Sequence, residues 1–232
     1  MDEYIKNKVE EYLTGEYHCT SDDLNASGTV FTIHAFVPQP YIKIMAYRNA
    51  VVVCTSQNIS SKIKDMLRGK TRDEIFETPL VYGQTIHYIP DPAYAYQLRK
   101  RPGYDFEMLF DEHGKTPTKA VYAAVENKKV VGVAGVAPTV VPDMWEVGVD
   151  VLPEYRNQGI ATSLVISLTK ELLDRNIVPF YSASITNIGS QLVAARSGYL
   201  PAWVDTYGTV LDGSSVYSEM LDNLTATFLR NK

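Results

Sequence analysis

The feature that most constrains this chain is a single change of periodicity between residues 144 and 175. Val147, Val149 and Val151 recur at every second position, the spacing of a strand with one buried face, until Pro153 halts it. From Gly159 onward the spacing is helical, with Ile160, Leu164, Leu168 and Leu172 four residues apart. The turn between them contains Arg156-x-x-Gly159-x-Ala161. Small residues let the main chain come close to a ligand, while a helix start supplies unbonded N–H groups and the positive end of a dipole. Such a turn suits an anion, a diphosphate above all. The same build also serves where a strand and helix only pack closely, so the turn alone leaves both readings open.

The rest of the chain places this unit. Residues 2–14 carry Tyr4, Ile5, Val9, Tyr12 and Leu13 on one stripe, which predicts a helix stopped by Gly15. Strands are predicted at 29–36, 41–47 and 50–54, with a turn at Tyr47-Arg48-Asn49. Ser56 is the predicted cap of a helix through Leu67, and a short helix follows near 72–77, then an extended stretch from Val81 to Ile89. Pro90 and Pro92 mark a boundary near residue 92. Beyond it, Ala120–Val125 and Val130–Ala137 flank Glu126-Asn127-Lys128 and read as a hairpin. Strands at 144–152 and 178–185 bracket a helix at 160–175. Asn187 or Ser190 can cap the next helix, which Gly198 ends, and a last strand is predicted at about 202–210.

Composition narrows the function classes. A net charge of -5 argues against general nucleic-acid binding, which needs a basic surface. No run approaches the roughly 18 apolar residues of a membrane span, so no membrane partner is expected. The opening Met1-Asp2-Glu3-Tyr4-Ile5-Lys6 is acidic and amphipathic, unlike a secretory leader. Cys19 and Cys54 are too few for a disulfide framework and lack zinc spacing, which points to a reducing cytoplasm. His18, His34, His87 and His113 are scattered, so no metal is expected. His87 is compatible with a substrate contact or with packing in a strand. Without a Walker lysine after Gly159, nucleoside triphosphate chemistry is disfavoured. Arg99-Lys100-Arg101 reads as a solvated linker face.

A second motif agrees with the first. The strand at 178–185 leads into Asn187-x-x-Ser190-x-x-x-Ala194-Ala195-x-x-Gly198-Tyr199. Here residues 93–232 resemble the GNAT superfamily of N-acetyltransferases. Val151 to Thr162 looks like its acetyl-CoA pyrophosphate loop, and Asn187 to Tyr199 looks like its second motif. Residues 1–92 lie outside the superfamily core and look like the extra domain of a small bacterial subgroup that also carries Pro201-Ala-Trp-Val204. The resemblance implies a mixed α/β, or α+β, architecture. A C-terminal GNAT fold at 93–232 has a central mixed, mostly antiparallel sheet with flanking helices and two splayed strands. A smaller N-terminal α+β domain at 1–92 has no assigned role.

It also implies a mechanism. The pantetheine arm of acetyl-CoA lies in the gap beside the main chain of Val149 and Val151. The diphosphate is taken by Asn157, Gln158, Gly159, Ile160, Ala161 and Thr162, with Arg156 as a basic shoulder, and Asn187 and Ser190 contact the cofactor arm. A primary amine, of a small molecule or a peptide, attacks the thioester directly. Glu146 is the candidate base, since relatives often carry a glutamate on that strand; it reads equally as a solvated strand residue. Parity puts Glu146, Gly148 and Asp150 opposite the valines, and a bulge in the strand would be needed to re-aim one of them. Many relatives place a general-acid tyrosine where this chain has Ala194, leaving Tyr181, Tyr199 or Tyr207 as substitutes; each reads first as a packing residue, and Tyr199 is the candidate acid. The alternative is a non-catalytic CoA-binding regulatory or scaffold protein. A monomer and a homodimer are both compatible with the sequence.

Overall fold

A computed structural model describes residues 2–79, 81–111 and 118–210, the side chains of 109–111 and 209–210 excepted. His113 and residues 211–232 of the predicted second segment lie outside the described residues. In chain order the elements are α1 (Glu3–Tyr17), α2 (Ser21–Leu24), β1 (Gly28–Ile33), β2 (Tyr41–Tyr47), β3 (Ala50–Thr55), α3 (Ser60–Leu67), α4 (Arg72–Phe76) and β4 (Thr85–Pro90). They continue with α5 (Pro92–Ala95), β5 (Asp105–Asp111), β6 (Ala120–Glu126), β7 (Lys129–Pro138) and β8 (Met144–Val151). The last are α6 (Ile160–Asp174), β9 (Val178–Ser184), α7 (Ile188–Arg196), β10 (Tyr199–Asp205) and β11 (Thr209–Val210). The mixed α+β class expected from the sequence is observed, with helices flanking a mixed sheet.

Contacts group the chain into two units, Met1–Tyr12 with Thr85–Trp203, and Leu13–Gln84 with Val204–Lys232. The grouping changes at residues 84/85, where β4 begins pairing with β9, rather than at the predicted 92/93. In the second unit β3 lies between parallel β1 and antiparallel β2. Every residue of β3 is buried, as expected of a strand covered on both faces. One face packs Val51 and Val53 with Ile42, Ile44, Ile63, Leu67 and Ile75.

The first unit carries strands in the order β10-β4-β9-β8-β7-β6-β5. All neighbours from β4 to β5 are antiparallel except β8 and β9, which run parallel as a strand–helix–strand crossover through α6 requires. The valine stripe of β8 faces α6: Val147 and Val151 are buried with Ile160, Leu164, Leu168 and Leu172 in one core. Each fully buried leucine of this kind is worth about 1.5–3 kcal/mol, so α6 is fixed by packing along its whole length.

Several elements differ from their sequence reading for local reasons. Gly15 does not stop α1, which runs on to Tyr17 and ends at His18 in the left-handed region, φ 49°. Ser56 caps no helix; its hydroxyl accepts from the Tyr41 amide at 2.9 Å, and α3 starts later at Ser60. Strand β5 went unread because Asp105-Phe-Glu-Met-Leu-Phe-Asp111 interrupts alternation, and its pairing with β6 shifts register between Met108 and Phe110. The predicted last strand is two pieces, β10 and β11, with Pro201 inside the first.

Candidate active site

β8 is the backbone of the site, and its two edges differ. Its pairing with β7 is unbroken from Trp145↔Pro138 to Val151↔Gly132. Its pairing with β9 covers only Met144↔Val178 to Val147↔Tyr181, although β8 runs on to Val151 and β9 to Ser184. The β9-facing edge of residues 148–151 therefore has no strand beside it among the described residues. The unshifted register also removes the bulge that would have re-aimed Glu146: its side chain stays on the face opposite the valines.

A cavity of about 420 Å³ opens beside this free edge. Val149, Val151, Arg156, Asn157, Gly159, Ile160, Ala161, Thr162, Asn187 and Ser190 all line it, so ten of the predicted cofactor residues come together. Gln158 does not; its carbonyl accepts from the Tyr104 hydroxyl at 2.7 Å, and its amide donates to the Glu154 carbonyl at 3.3 Å. The turn has the shape that an anion cradle needs. Asn157 and Gly159 adopt φ of 60° and 82°, and no side chain caps α6 at Gly159. Successive amides can then converge on one point instead of being closed off by the chain itself.

Neighbouring polar groups hold the cleft open. Arg156 Nε donates to the Val151 carbonyl at 2.9 Å, and its Nη2 lies 3.4 Å from Asp150 Oδ1, fixing the guanidinium at the end of β8. Asn187 Oδ1 accepts from the Ser190 amide at 3.1 Å, so it caps α7 and lines the cleft at once. Two basic residues were not anticipated there. Arg196 lines the cavity. Arg101 donates its amide to Ser163 Oγ at 2.8 Å, and its Cδ would lie 3.6 Å from a Cβ on Gly159, so it runs along the start of α6 rather than on a free linker.

A second cavity, about 620 Å³, shares Val149, Asp150, Tyr181 and Ser190 with the first and is also lined by Glu146. Glu146 Oε1 accepts a hydrogen bond from Ser182. Tyr181 Oη is 2.8 Å from Ser190 Oγ. Burial raises the Tyr181 phenol above its ordinary 10.0, with the Ser190 hydrogen bond pulling the other way. Tyr199 lines neither cavity: it is buried, its hydroxyl is 2.7 Å from Thr169 Oγ1, and burial raises its pKa. The sequence named Tyr199 only as one of three tyrosines that could replace the absent one, and it does not reveal the direction of its side chain. His87 is a packing residue, its ring stacked on Trp203 at 4.5 Å and 5°. Among the described residues no group of His, Cys, Asp and Glu is placed to hold a metal, and no helix is long and apolar enough to cross a membrane.

A family model described as the acetyltransferase (GNAT) family matches residues 84–199. Among solved structures, the chain is similar to a GNAT-family protein from Novosphingobium aromaticivorans DSM 12444 (20% identity over 53% of this chain and 63% of that one, TM-score 0.41). It is similar to a GCN5-related N-acetyltransferase-like protein from Streptococcus suis 89/1591 (16% identity, 68% and 71% covered, TM-score 0.42). A third is an acetyltransferase from the GNAT family of Colwellia psychrerythraea (13% identity, 71% and 64% covered, TM-score 0.46). The chain thus spans just under two thirds of the first and third of these proteins, at 63% and 64%. None of the curated proteins matches it.

Proposed function

Because the chain belongs to the GNAT family of acetyltransferases, we propose that it transfers the acetyl group of acetyl-CoA to the primary amine of a small molecule or peptide. The observation that carries this reading is the early end of the β8–β9 pairing at Val147↔Tyr181, beside a turn whose helix start has no side-chain cap. An unpaired strand edge accepts an amide-bearing arm as it would another strand, and uncapped helix amides accept phosphate. Acetyl-CoA supplies an activated thioester carbonyl when bound. Every described residue lining the two cavities falls within 93–232, to which the activity is assigned.

The protein's own residues divide the work. Main-chain groups of Val149 and Val151 hold the arm, amides from Asn157 to Thr162 with Arg156 hold the diphosphate, and Asn187 orients the arm from α7. An alkylammonium has a pKa near ~10, so its proton must leave before attack. Glu146, its Oε1 held by Ser182, receives that proton in the second cavity. Tyr181 takes the acid role that Tyr199 is not placed to fill. It lines both cavities, and its raised pKa keeps the phenol protonated at neutral pH, ready to donate toward the departing sulfur.

Calorimetry with acetyl-CoA, followed by release of free thiol on adding a panel of amines, tests the reading. Binding followed by amine-dependent thiol release is the expected result. Binding with no release across a broad panel would turn the assignment to a CoA-binding regulatory protein, and absence of binding would end it.

A further inference from the structure

The second cavity has an unusual floor. On the sheet face that bears Glu146, the cross-strand pairs are Val133↔Asp150, Gly135↔Gly148 and Ala137↔Glu146. Two glycines stand directly opposite one another, so the middle of this face carries no side chain from either strand. A Cβ placed on Gly148 meets nothing within 4 Å, which is open space. One placed on Gly135 meets Thr118 Cγ2 at 2.9 Å and Val121 Cγ2 at 3.3 Å, which fixes where the wall begins. Glycine inside a strand weakens it, and its presence marks a place where something comes close to the backbone.

The walls and charges select what that is. Val121 and Val133 are apolar, and Thr118 turns its methyl toward Gly135. Among the described residues lining the cavity, the charged side chains are Glu146 and Asp150, both carboxylates. Asp150 already faces Arg156 Nη2 at 3.4 Å and accepts from the Val151 amide at 2.8 Å, and Arg156 is not among the residues that line this second cavity. Among the described residues, the hydrogen bond to Glu146 comes from the Ser182 hydroxyl, on one oxygen. A cation beside Glu146 is attracted, whereas an anion there meets carboxylate charge and, among the described residues lining the cavity, no basic side chain to answer it.

We infer that the acceptor lies on the Gly135–Gly148 floor, and that it is a cationic primary amine on a slender or flat uncharged body, with no carboxylate or phosphate near the reacting nitrogen. This rests on the acetyl-transfer reading and narrows it: free amino acids are excluded, and their decarboxylated counterparts are favoured.

Matched pairs that differ only by a carboxylate test it directly, tyramine against tyrosine and phenethylamine against phenylalanine, with wild type, Gly148→Ala and Gly148→Val. Both thiol release and amine binding to the acetyl-CoA-loaded protein are measured. The carboxylate-free member should be preferred by about a hundredfold in kcat/KM. Gly148→Val, which suits a strand, should lose turnover by a similar factor and Gly148→Ala by less, while both keep acetyl-CoA affinity within about twofold. Equal or better use of the amino acids, wild-type turnover by Gly148→Val, or no pair member engaging the loaded protein would each overturn the inference. Failure of the wild type to bind acetyl-CoA would appear in calorimetry before any amine is added, and would overturn the transfer reading together with this one.

Discussion

Two helix starts in this molecule are built to opposite rules. α4, in the unit formed by 13–84 and 204–232, is only 5 residues long yet has a complete capping box: Glu74 N donates to Thr71 Oγ1 at 3.3 Å and Thr71 N donates to Glu74 Oε2 at 2.7 Å. α6, in the other unit, has 15 residues and begins at Gly159 with no side-chain cap at all. A cap is worth about 1 kcal/mol, which a short exposed helix needs. α6 buries Ile160, Leu164, Leu168 and Leu172 and does without. The contrast teaches where to look for function: α6, secured by its core, can leave its first amides to a ligand, whereas α4 spends them on itself.

The largest effect expected from this contrast is at Gly159. Tryptophan there puts an indole into the proposed diphosphate site and forces φ of 82° on a residue with a Cβ. The backbone strain costs about 1–2 kcal/mol, little against a core of this size. Gly159→Trp should therefore abolish acetyl-CoA binding in calorimetry while circular dichroism still reports a folded chain. Unchanged affinity would mean that the uncapped start of α6 is not the cofactor site. Next in size is Glu146→Gln. Turnover at neutral pH should fall by roughly 10²–10⁴-fold with acetyl-CoA affinity unchanged, as general bases of this kind contribute. An unaltered pH–rate profile would remove Glu146 from the chemistry and leave it a solvated strand residue.

The paired tyrosines sharpen the same distinction between groups serving the site and groups serving the fold. Tyr181→Phe should lower kcat about tenfold and remove the alkaline limb of the profile. The sign follows from the direction of the shift. An acid must be protonated to act, and burial raises this phenol above 10.0, so the wild-type rate holds through neutral pH and falls only as pH rises past the raised value. Tyr199→Phe should leave kcat alone and cost stability instead, since Thr169, 0% exposed, loses its partner at 2.7 Å. A buried hydroxyl left unsatisfied costs about 1–3 kcal/mol, readable as a lower Tm. Exchanged outcomes, rate lost at Tyr199 and stability alone at Tyr181, would reverse the assignment of the acid.

What the sequence made legible follows from how local each signal is. The strand–turn–helix unit was readable because the period-two valines, Pro153, Gly159 and the leucine stripe each act within a few residues. The Asn127-Lys128 turn was readable for the same reason, and both residues do adopt positive φ, 49° and 65°. Asn187 was one of two possible caps, and the structure selects it. Signals that depend on a distant partner were not readable. The opposition of Gly135 and Gly148 requires the register of β7 on β8. Arg101 reaches the start of α6 only because its amide is tied to Ser163, 62 positions away. Tyr199 could be read as an acid or as a packing residue, and only the fold shows that Thr169 meets its hydroxyl.

The smallest expected effect returns to the short helix. Thr71→Ala removes the one hydroxyl that both accepts from Glu74 N and donates to Glu74 Oε2 at 2.9 Å, so the box loses both side-chain bonds made by Thr71. The Thr71 amide still donates to Glu74 at 2.7 Å, which keeps the loss near the ordinary figure for one cap, about 1 kcal/mol. Chemical denaturation should show that decrease with an unchanged m-value, and calorimetry should show acetyl-CoA affinity equal to wild type. The pairing with Gly159→Trp is the informative part. A cap that changes stability without binding, set beside an uncapped start that changes binding at little cost in stability, is the behaviour required if the two helix starts have divided those tasks. A drop in acetyl-CoA affinity on Thr71→Ala would show instead that the capped helix contributes to the site, and that an absent cap is no guide to it.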